Sequence, residues 1–475
     1  MATTDKNSSL QYPYADAAAR ITRYNHNDKL FEGSHFEAFN IQVANKNFTT
    51  NLSKLKYVTA NFAGLISKVC ADMLFGEQIK LQYTDQITQK FYDALAYESK
   101  LQTLGYRLAL MNSRRGDAVL KVRLENKNGE PRIRIESINP RIWHPHFADG
   151  TDEPTAHELA WRVVFGNVAY LRKEIHTDGM IRNELWPFKN LKTDELLGTP
   201  LADEGVANLL GVDVEQDTGI DRNMIIHIPN WQDEGAFGID DYRDLNSLMY
   251  AVNNRITKNE NILDKHSDPI LQLPEGVLNA KGEIDRAKLG VFEVPNTETG
   301  GQSKGEAKYI TWNAGLDASF KQVDKLVEFL FMFSETSPDA MGMGDGKIDS
   351  GKALKLRLMR TVSKVNRKRI YFDQGLKEAL LVAGLLSYKH KVPVMGSYLN
   401  KTPELANIIW QDGLPIDDQE QIDNQGSRID QGTQSEVDAI MVIDNVTREE
   451  ATLKHKRIKE ETALLVPSGA PSTGA

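Results

Sequence analysis

Apolar residues recur at spacings of three and four over several long stretches of the chain, which is typical of helices with one buried face. The first such stripe runs through residues 55–73 and stops at Gly76, where a helix commonly ends. A second helix is expected over 88–112, and a much longer one over 351–387. These patterns predict a largely helical framework.

The spacing of apolar residues changes between about residues 115 and 230. Apolar residues there alternate with polar ones or are β-branched, and Asn128-Gly129 and Asp149-Gly150 mark turns between them. Turns this short join antiparallel strands, because a parallel crossover needs roughly a dozen residues or more. We therefore predict mostly antiparallel sheet in this region and an α+β fold class for the chain.

Two further helices flank a small β-element. We expect the helices at about 240–266 and 316–334, and strands at 269–273, 289–294 and 308–312 between them. The second helix is apolar nearly all round near its end, which predicts burial on more than one side. The residues predicted to pack these two helices are Leu245, Leu248, Met249, Val252, Ile256, Val327, Leu330 and Phe331.

The segment 335–349 interrupts the helical pattern with a proline and several glycines. It is not a phosphate-binding loop, because the spacing is wrong and Ile348 follows Lys347 where a hydroxyl residue is required. Its acidic residues also lack the spacing of a calcium loop. We interpret it as a flexible loop between helices.

Composition limits the classes of site. The chain has 475 residues, a formal net charge of −9 and one cysteine, Cys70, which excludes an intrachain disulfide and a multi-cysteine zinc site. His144 and His146 alternate and could begin a metal site, but no third ligand is suggested, so a surface turn is predicted there. We expect no metal, no cofactor, no secretory signal and no membrane span.

One stretch of charge is unusual for an acidic protein. Between residues 352 and 369 every charged residue is basic. Because like charges repel each other, such a run indicates a negatively charged partner. That partner is either nucleic acid or an acidic face of a neighbouring chain. The third interpretation is a helix face exposed to solvent. The basic residues are Lys352, Lys355, Arg357, Arg360, Lys364, Arg367, Lys368 and Arg369.

No catalytic motif is recognisable in the sequence. A nucleophile elbow is absent, and no carboxylates form a pair by spacing. No catalytic residue is therefore predicted. The alternative function is a soluble hydrolase that acts on a polyanion or polysaccharide through carboxylates that meet only in the fold.

Four sets of short strings occur in order around the helix–β–helix insert. The strings are Asn61-Phe62 with Asp72-Met73-Leu74-Phe75-Gly76-Glu77; Ile228-Pro229-Asn230 with Gly238-Ile239-Asp240-Asp241; Thr336-Ser337-Pro338-Asp339 with Ser350-Gly351-Lys352-Ala353-Leu354-Lys355-Leu356; and Ile409-Trp410-Gln411-Asp412 with Leu414-Pro415 and Ser435. Each string is weak alone, but their order is fairly specific. Together they resemble the portal proteins of tailed bacteriophages, the head-to-tail connector family.

The resemblance implies a portal-type domain organisation. In that organisation long stem helices carry a small β-rich clip, a mixed α/β wing surrounds them, and a helical crown follows. The implied divisions are an N-terminal arm (1–29), wing (30–239), stem helix (240–266), clip (267–315), stem helix (316–334), channel loop (335–349), long wing helix (350–389), crown (390–465) and disordered tail (466–475).

The resemblance also implies a structural role in the virion. It implies a homo-oligomeric ring, usually of twelve subunits, at one capsid vertex, assembled in the bacterial host cytoplasm. Double-stranded DNA would pass through it during packaging and ejection, and its partners would be the terminase large subunit, a head-completion or adaptor protein, the major capsid protein and scaffold. The implied DNA-facing loop residues are Ser337, Pro338, Asp339, Met341, Gly342, Gly344, Gly346, Lys347 and Asp349.

Overall fold

The computed structural model describes residues 11–41, 57–127, 129–267, 270–272, 308–310, 316–344, 351–411, 413, 418–444, 446 and 448–465. Helices and antiparallel sheets alternate along these residues. The helices are α1 (Ala18–Phe31), α2 (His35–Ala38), α3 (Phe62–Phe75), α4 (Gln86–Glu98), α5 (Leu101–Arg115), α6 (Asp203–Leu210), α7 (Asn246–Ser267), α8 (Leu316–Phe333), α9 (Gly351–His390), α10 (Asp418–Asp430), α11 (Glu436–Asp444) and α12 (Arg448–Leu465).

The strands form two larger sheets and two small ones. The orders are β3-β2-β9, β4-β5-β6-β7-β8, β1-β12 and β10-β11, and every pairing is antiparallel. The antiparallel prediction for residues 115–230 is confirmed. The strands are β1 (Lys80–Gln82), β2 (Asp117–Lys127), β3 (Glu130–Ile138), β4 (Trp143–Phe147), β5 (Pro154–Phe165), β6 (Val168–Thr177), β7 (Met180–Pro187), β8 (Glu215–Asp217), β9 (Ile225–Pro229), β10 (Ile270–Gln272), β11 (Lys308–Ile310) and β12 (Asn407–Ile409).

The largest core lies where α9 crosses the three-stranded sheet and α3. The apolar stripe of α9 supplies Leu358, Val365, Phe372 and Leu376, all buried. Burial of such side chains stabilises a fold by about 1.5–3 kcal/mol each. The helix of 40 residues is therefore held along its length, not only at its ends.

The two helices that flank the β-element pack against each other. Seven of the eight residues predicted to pack these helices lie in one apolar cluster, either as buried members or packed against it, together with residues of α1 and α3. The eighth, Phe331, is buried beside the ring of Phe62. Of the predicted strands between the helices, the first and third are observed in part as β10 and β11, and 289–294 lies outside the described residues.

Two local features differ from the sequence-based expectations. The single helix expected over 88–112 is wrong, because Lys100 adopts a left-handed conformation (φ 51°) that separates α4 from α5. Helix α1 was not predicted, and its Asp28 forms a buried ion pair with Arg115 (2.9 Å). Long-range pairing of this kind leaves no periodic signal in a sequence.

The surface turn predicted at His144 and His146 is also wrong. Both lie on the edge strand β4, and the ring of His144 is buried edge-on against Tyr14 (centroids 4.7 Å apart). His146 contacts Glu158 (3.2 Å), whose carboxylate also accepts from the Tyr14 hydroxyl. The two histidines therefore face one side of the sheet, and protein groups occupy that side.

The backbone of Gly238, between β9 and α7, passes very close to that of Gly116. A Cβ at Gly238 would lie 1.9 Å from the carbonyl oxygen of Gly116, so only glycine fits without a backbone shift.

We expect Gly238→Ala to lower the free energy of unfolding by about 1–3 kcal/mol, because overpacking forces the backbone apart. Chemical denaturation measures this change. Gly426→Ala is the matched control, since a Cβ there meets nothing within 4 Å. An equal loss in both variants would contradict the steric account.

Candidate functional site

The segment just before α7, the end of α8 and the middle of α9 meet around a cleft of about 600 Å³. Trp231, Met332 and Phe333 contribute apolar walls, and each is exposed to solvent. Charged groups of α9 and of residues 240–244 line the remainder. The cleft is thus the joint between the helix pair α7–α8 and the rest of the chain.

Asp241 is the central charge of this joint. Its carboxylate contacts Lys368 Nζ at 2.6 Å and Lys364 Nζ at 3.3 Å, and Ser113 Oγ donates to it at 2.5 Å. The Asn230 side-chain amide donates to the same carboxylate at 3.0 Å. One buried carboxylate is thereby held between two buried ammonium groups one helical turn apart.

The electrostatics of this group follow from its partners. Burial alone would raise the pKa of Asp241, but the charges of Lys364 and Lys368 outweigh burial and hold the pKa well below its usual range. Burial would likewise lower the pKa of Lys364, and Asp241 reverses the direction, so that the pKa is raised. Asp241 and Lys364 are therefore both charged inside the protein.

The end of α8 is attached to the same lysine. Lys364 Nζ donates to the carbonyl oxygen of Ser334 at 2.9 Å, which satisfies one acceptor that the helix end leaves open. Farther along, the Ser337 backbone N–H donates to Thr361 Oγ1 at 2.8 Å. Lys364 therefore joins the turn before α7, through Asp241, and the end of α8 to α9.

Residues 334–344, here called the linker segment, fold back on α9. A 3-10 turn over Asp339–Met341 ends at Gly342, which has a φ of 73°. A Cβ at Gly344 would lie 2.2 Å from Asp339 Oδ1, so glycine permits this close approach. Met341 packs against the apolar core. The described part of the predicted flexible loop is therefore ordered against the protein.

Two acidic residues of the linker segment pair with arginines of α9. Glu335 contacts Arg367, and Asp339 contacts Arg357 at 3.4 Å. These pairs are more exposed than the Asp241 contacts. Acidic residues of the linker segment thus neutralise part of the basic run.

The basic run divides into different environments. Lys364 and Lys368 are buried, and Arg369 donates to the Gln411 carbonyl oxygen (2.8 Å) beside the Trp410 ring. Lys352 lies in α9, and its side chain is outside the described set. The residues on the exposed side are Lys355, Arg357, Arg360 and Arg367.

The residues predicted to form the DNA-facing loop also differ in their exposure to solvent. Ser337 is buried, whereas Pro338 and Gly344 are exposed. Asp339 and Met341 are half-buried, and Gly342 is exposed. The remaining predicted loop residues, Gly346, Lys347 and Asp349, lie outside the described residues.

Sequence reasoning missed the role of Asp241 and its lysines. A signal existed, because Lys368 falls at helical spacing between Val365 and Phe372, on the apolar face of α9. A basic residue on an apolar face needs a buried counter-charge. The identity of that partner, more than 120 positions away, depends on the tertiary fold.

The described residues contain no group of three or more His, Cys, Asp or Glu side chains arranged to hold a metal ion. None of the described helices combines the length and apolarity that crossing a bilayer requires.

We expect Asp241→Asn to destabilise the protein by about 3–5 kcal/mol, because two buried ammonium groups would lose their carboxylate. Thermal or urea unfolding measures the change. Asp244→Asn, on the same cleft but exposed, is the matched control and should change stability by less than about 0.5 kcal/mol. Equal effects would contradict the assignment.

The pKa of Asp240 is shifted in the opposite direction to that of Asp241. Burial raises its pKa from 3.8 to about 6, against the nearby Arg23. A raised pKa favours the protonated form in the folded state, so this contribution to stability is full below pH 3.8 and is lost as pH rises through about 6.

The unfolding free energy of Asp240→Asn relative to the original chain should therefore rise by roughly 3 kcal/mol between pH 4 and pH 7. Urea unfolding across that range measures the difference. A pH-independent difference would contradict the raised pKa.

Comparison with known proteins adds to this geometry. No curated protein matches the chain. Among solved structures, a chain of the virion of a native gene transfer agent particle has a TM-score of 0.45 and 11% identity, over 83% of this chain and 92% of that one. A chain from the neck of the native particle, computed with C12 symmetry, has a TM-score of 0.41 and 10% identity, over 80% and 89% respectively.

A family model covers nearly the whole sequence. The model described as phage portal protein, SPP1 Gp6-like, matches residues 11–463. The match includes every element that builds the joint. The chain therefore belongs to the family of phage portal proteins of the SPP1 Gp6-like type.

Proposed function

We propose that this chain is the subunit of a portal ring at one vertex of a tailed-phage capsid. The ring, of twelve subunits, would conduct double-stranded DNA during packaging and ejection without catalysing a reaction. The observation that carries the proposal is the family match over residues 11–463. Its assembly would begin in the bacterial host cytoplasm and end in the virion.

The proposal includes a docking role. The terminase large subunit would bind the ring during packaging, and a head-completion or adaptor protein would bind it afterwards. The major capsid protein and scaffold would surround it in the shell. These partners follow from the family, and the segment proposed to meet the terminase, 267–315, lies mostly outside the described residues.

An apolar surface on α8 supports contact between subunits. Leu330 and Phe331 are buried within the chain, whereas Phe329, Met332 and Phe333 are 42%, 50% and 58% exposed. Neighbouring exposed apolar side chains of this size are typical of an interface. We assign this surface to the adjacent subunit of the ring.

The charge of the chain suits a conduit. A ring of subunits that each carry a net charge of −9 repels phosphate, and attraction to DNA grows with each exposed basic contact. In the linker segment, Glu335 and Asp339 are the ionisable residues among the described positions. A surface of this kind would let DNA slide.

Assembly tests the proposal through the α8 surface. We expect the original chain to form a particle with many times the subunit mass of 53.4 kDa, as light scattering after size-exclusion chromatography measures. Phe329→Ser with Phe333→Ser should reduce assembly at least tenfold, because it removes apolar area from the contact. Circular dichroism checks that the fold is retained.

Val164→Ser is the matched control, since Val164 is 55% exposed on the five-stranded sheet. Loss of assembly in the control alone would assign the subunit interface to the five-stranded sheet instead of α8. A stable monomer at high concentration from the original chain would contradict the ring.

A further inference from the structure

The function of the basic run in α9 is not explained by membership of the portal family. In sequence it suggested DNA, a neighbouring subunit or solvent as its partner. In the structure, charges of the same chain already occupy much of it: Lys364 and Lys368 contact Asp241, Arg357 contacts Asp339, and Arg367 contacts Glu335.

The contacts are graded in burial. At Lys368–Asp241 the two side chains are 3% and 2% exposed, and at Lys364–Asp241 they are 7% and 2% exposed. At Arg367–Glu335 they are 53% and 36% exposed. The inner contacts are therefore shielded from salt, and the outer contact is open to it.

The outer contacts act on a segment whose backbone is hydrogen-bonded within itself. The Met341 N–H donates to the Pro338 carbonyl oxygen at 3.0 Å, and the Gly342 N–H donates to that of Asp339 at 3.1 Å. Arg357 holds the side chain of Asp339, inside this turn. Loss of the arginine contacts would let the turn open while the buried hydrogen bond between Lys364 and Ser334 remains.

We propose that the basic run of α9 is a graded electrostatic clamp on the linker segment. Lys364 fixes its inner end through a buried hydrogen bond to the Ser334 carbonyl oxygen, and Lys368 shares the buried Asp241 carboxylate with Lys364. Arg357 and Arg367 hold its outer part through surface ion pairs that salt can release. The run thus serves as the counter-charge of an acidic segment of its own chain.

Charge balance favours the linker segment, over DNA or a second subunit, as the partner of the basic run. A DNA phosphate or a carboxylate of another subunit would have to displace Glu335 or Asp339, which are already in place and cost no association entropy. Arg360 differs, since it lies exposed at the cleft, and no ion pair to it is found among the described residues. It therefore provides a matched control on the same helix.

The clamp does not depend on the proposed function, because every contact lies within one chain. Its effect on passing DNA does rest on that function. Amide hydrogen exchange of the full-length chain separates the two, because it reports opening of the linker segment in any oligomeric state.

In the test, exchange of the amides of residues 335–343 is compared between the original chain, Arg357→Gln with Arg367→Gln, and Arg360→Gln, all in the same oligomeric state. The double variant should exchange about two- to fivefold faster at low salt, since exposed ion pairs contribute modestly. Raising the salt from about 0.05 M to about 0.5 M should accelerate the original chain and Arg360→Gln but not the double variant. Exchange in β9 should not change.

A charge exchange provides the second measurement. Arg367→Glu should accelerate exchange of the linker segment, and adding Glu335→Arg should restore it. Unchanged exchange in the double variant, or equal acceleration in Arg360→Gln, would overturn the clamp. Weaker binding of a DNA duplex or weaker assembly with unchanged exchange would also overturn it, and would assign the arginines to DNA or to a second copy of the chain.

Discussion

A single buried carboxylate between two buried ammonium groups connects the main parts of this protein. Asp241 lies in the turn that precedes α7, and Lys364 and Lys368 lie in the middle of α9. Lys364 also binds the carbonyl oxygen that ends α8. Burying three charges costs several kcal/mol each unless geometry and hydrogen bonds compensate, and removing one partner leaves that cost uncompensated. The arrangement therefore fixes where the three helices meet.

That fixed point determines what the neighbouring segments can do. Beyond the joint, α7 and α8 share one apolar cluster, and the linker segment is hydrogen-bonded to α9. Apolar packing by Met341 and surface pairs at Glu335 and Asp339 then set the position of the linker segment. In a ring, the same joint would hold each linker segment at one place on α9 of its own subunit.

Sequence reasoning predicted the parts of the fold that rest on local periodicity. The stripe of α9 and the short turns of the β-region each repeat over many residues, so helix and antiparallel sheet could be predicted. The break at Lys100, the burial of His144 and the partner of Lys368 depend on contacts between distant segments. At the candidate site the basic run was recognised, but its division into buried and exposed groups required the structure.

We propose that the linker segment, held by α9, faces the bore of a portal ring. Cryo-electron microscopy of the assembled full-length chain tests it most directly. The account predicts a ring with a central channel and with residues 334–344 of each subunit at the channel wall, next to the middle of α9 of the same subunit. A ring in which this segment faces outward or lies sealed between subunits would contradict the account.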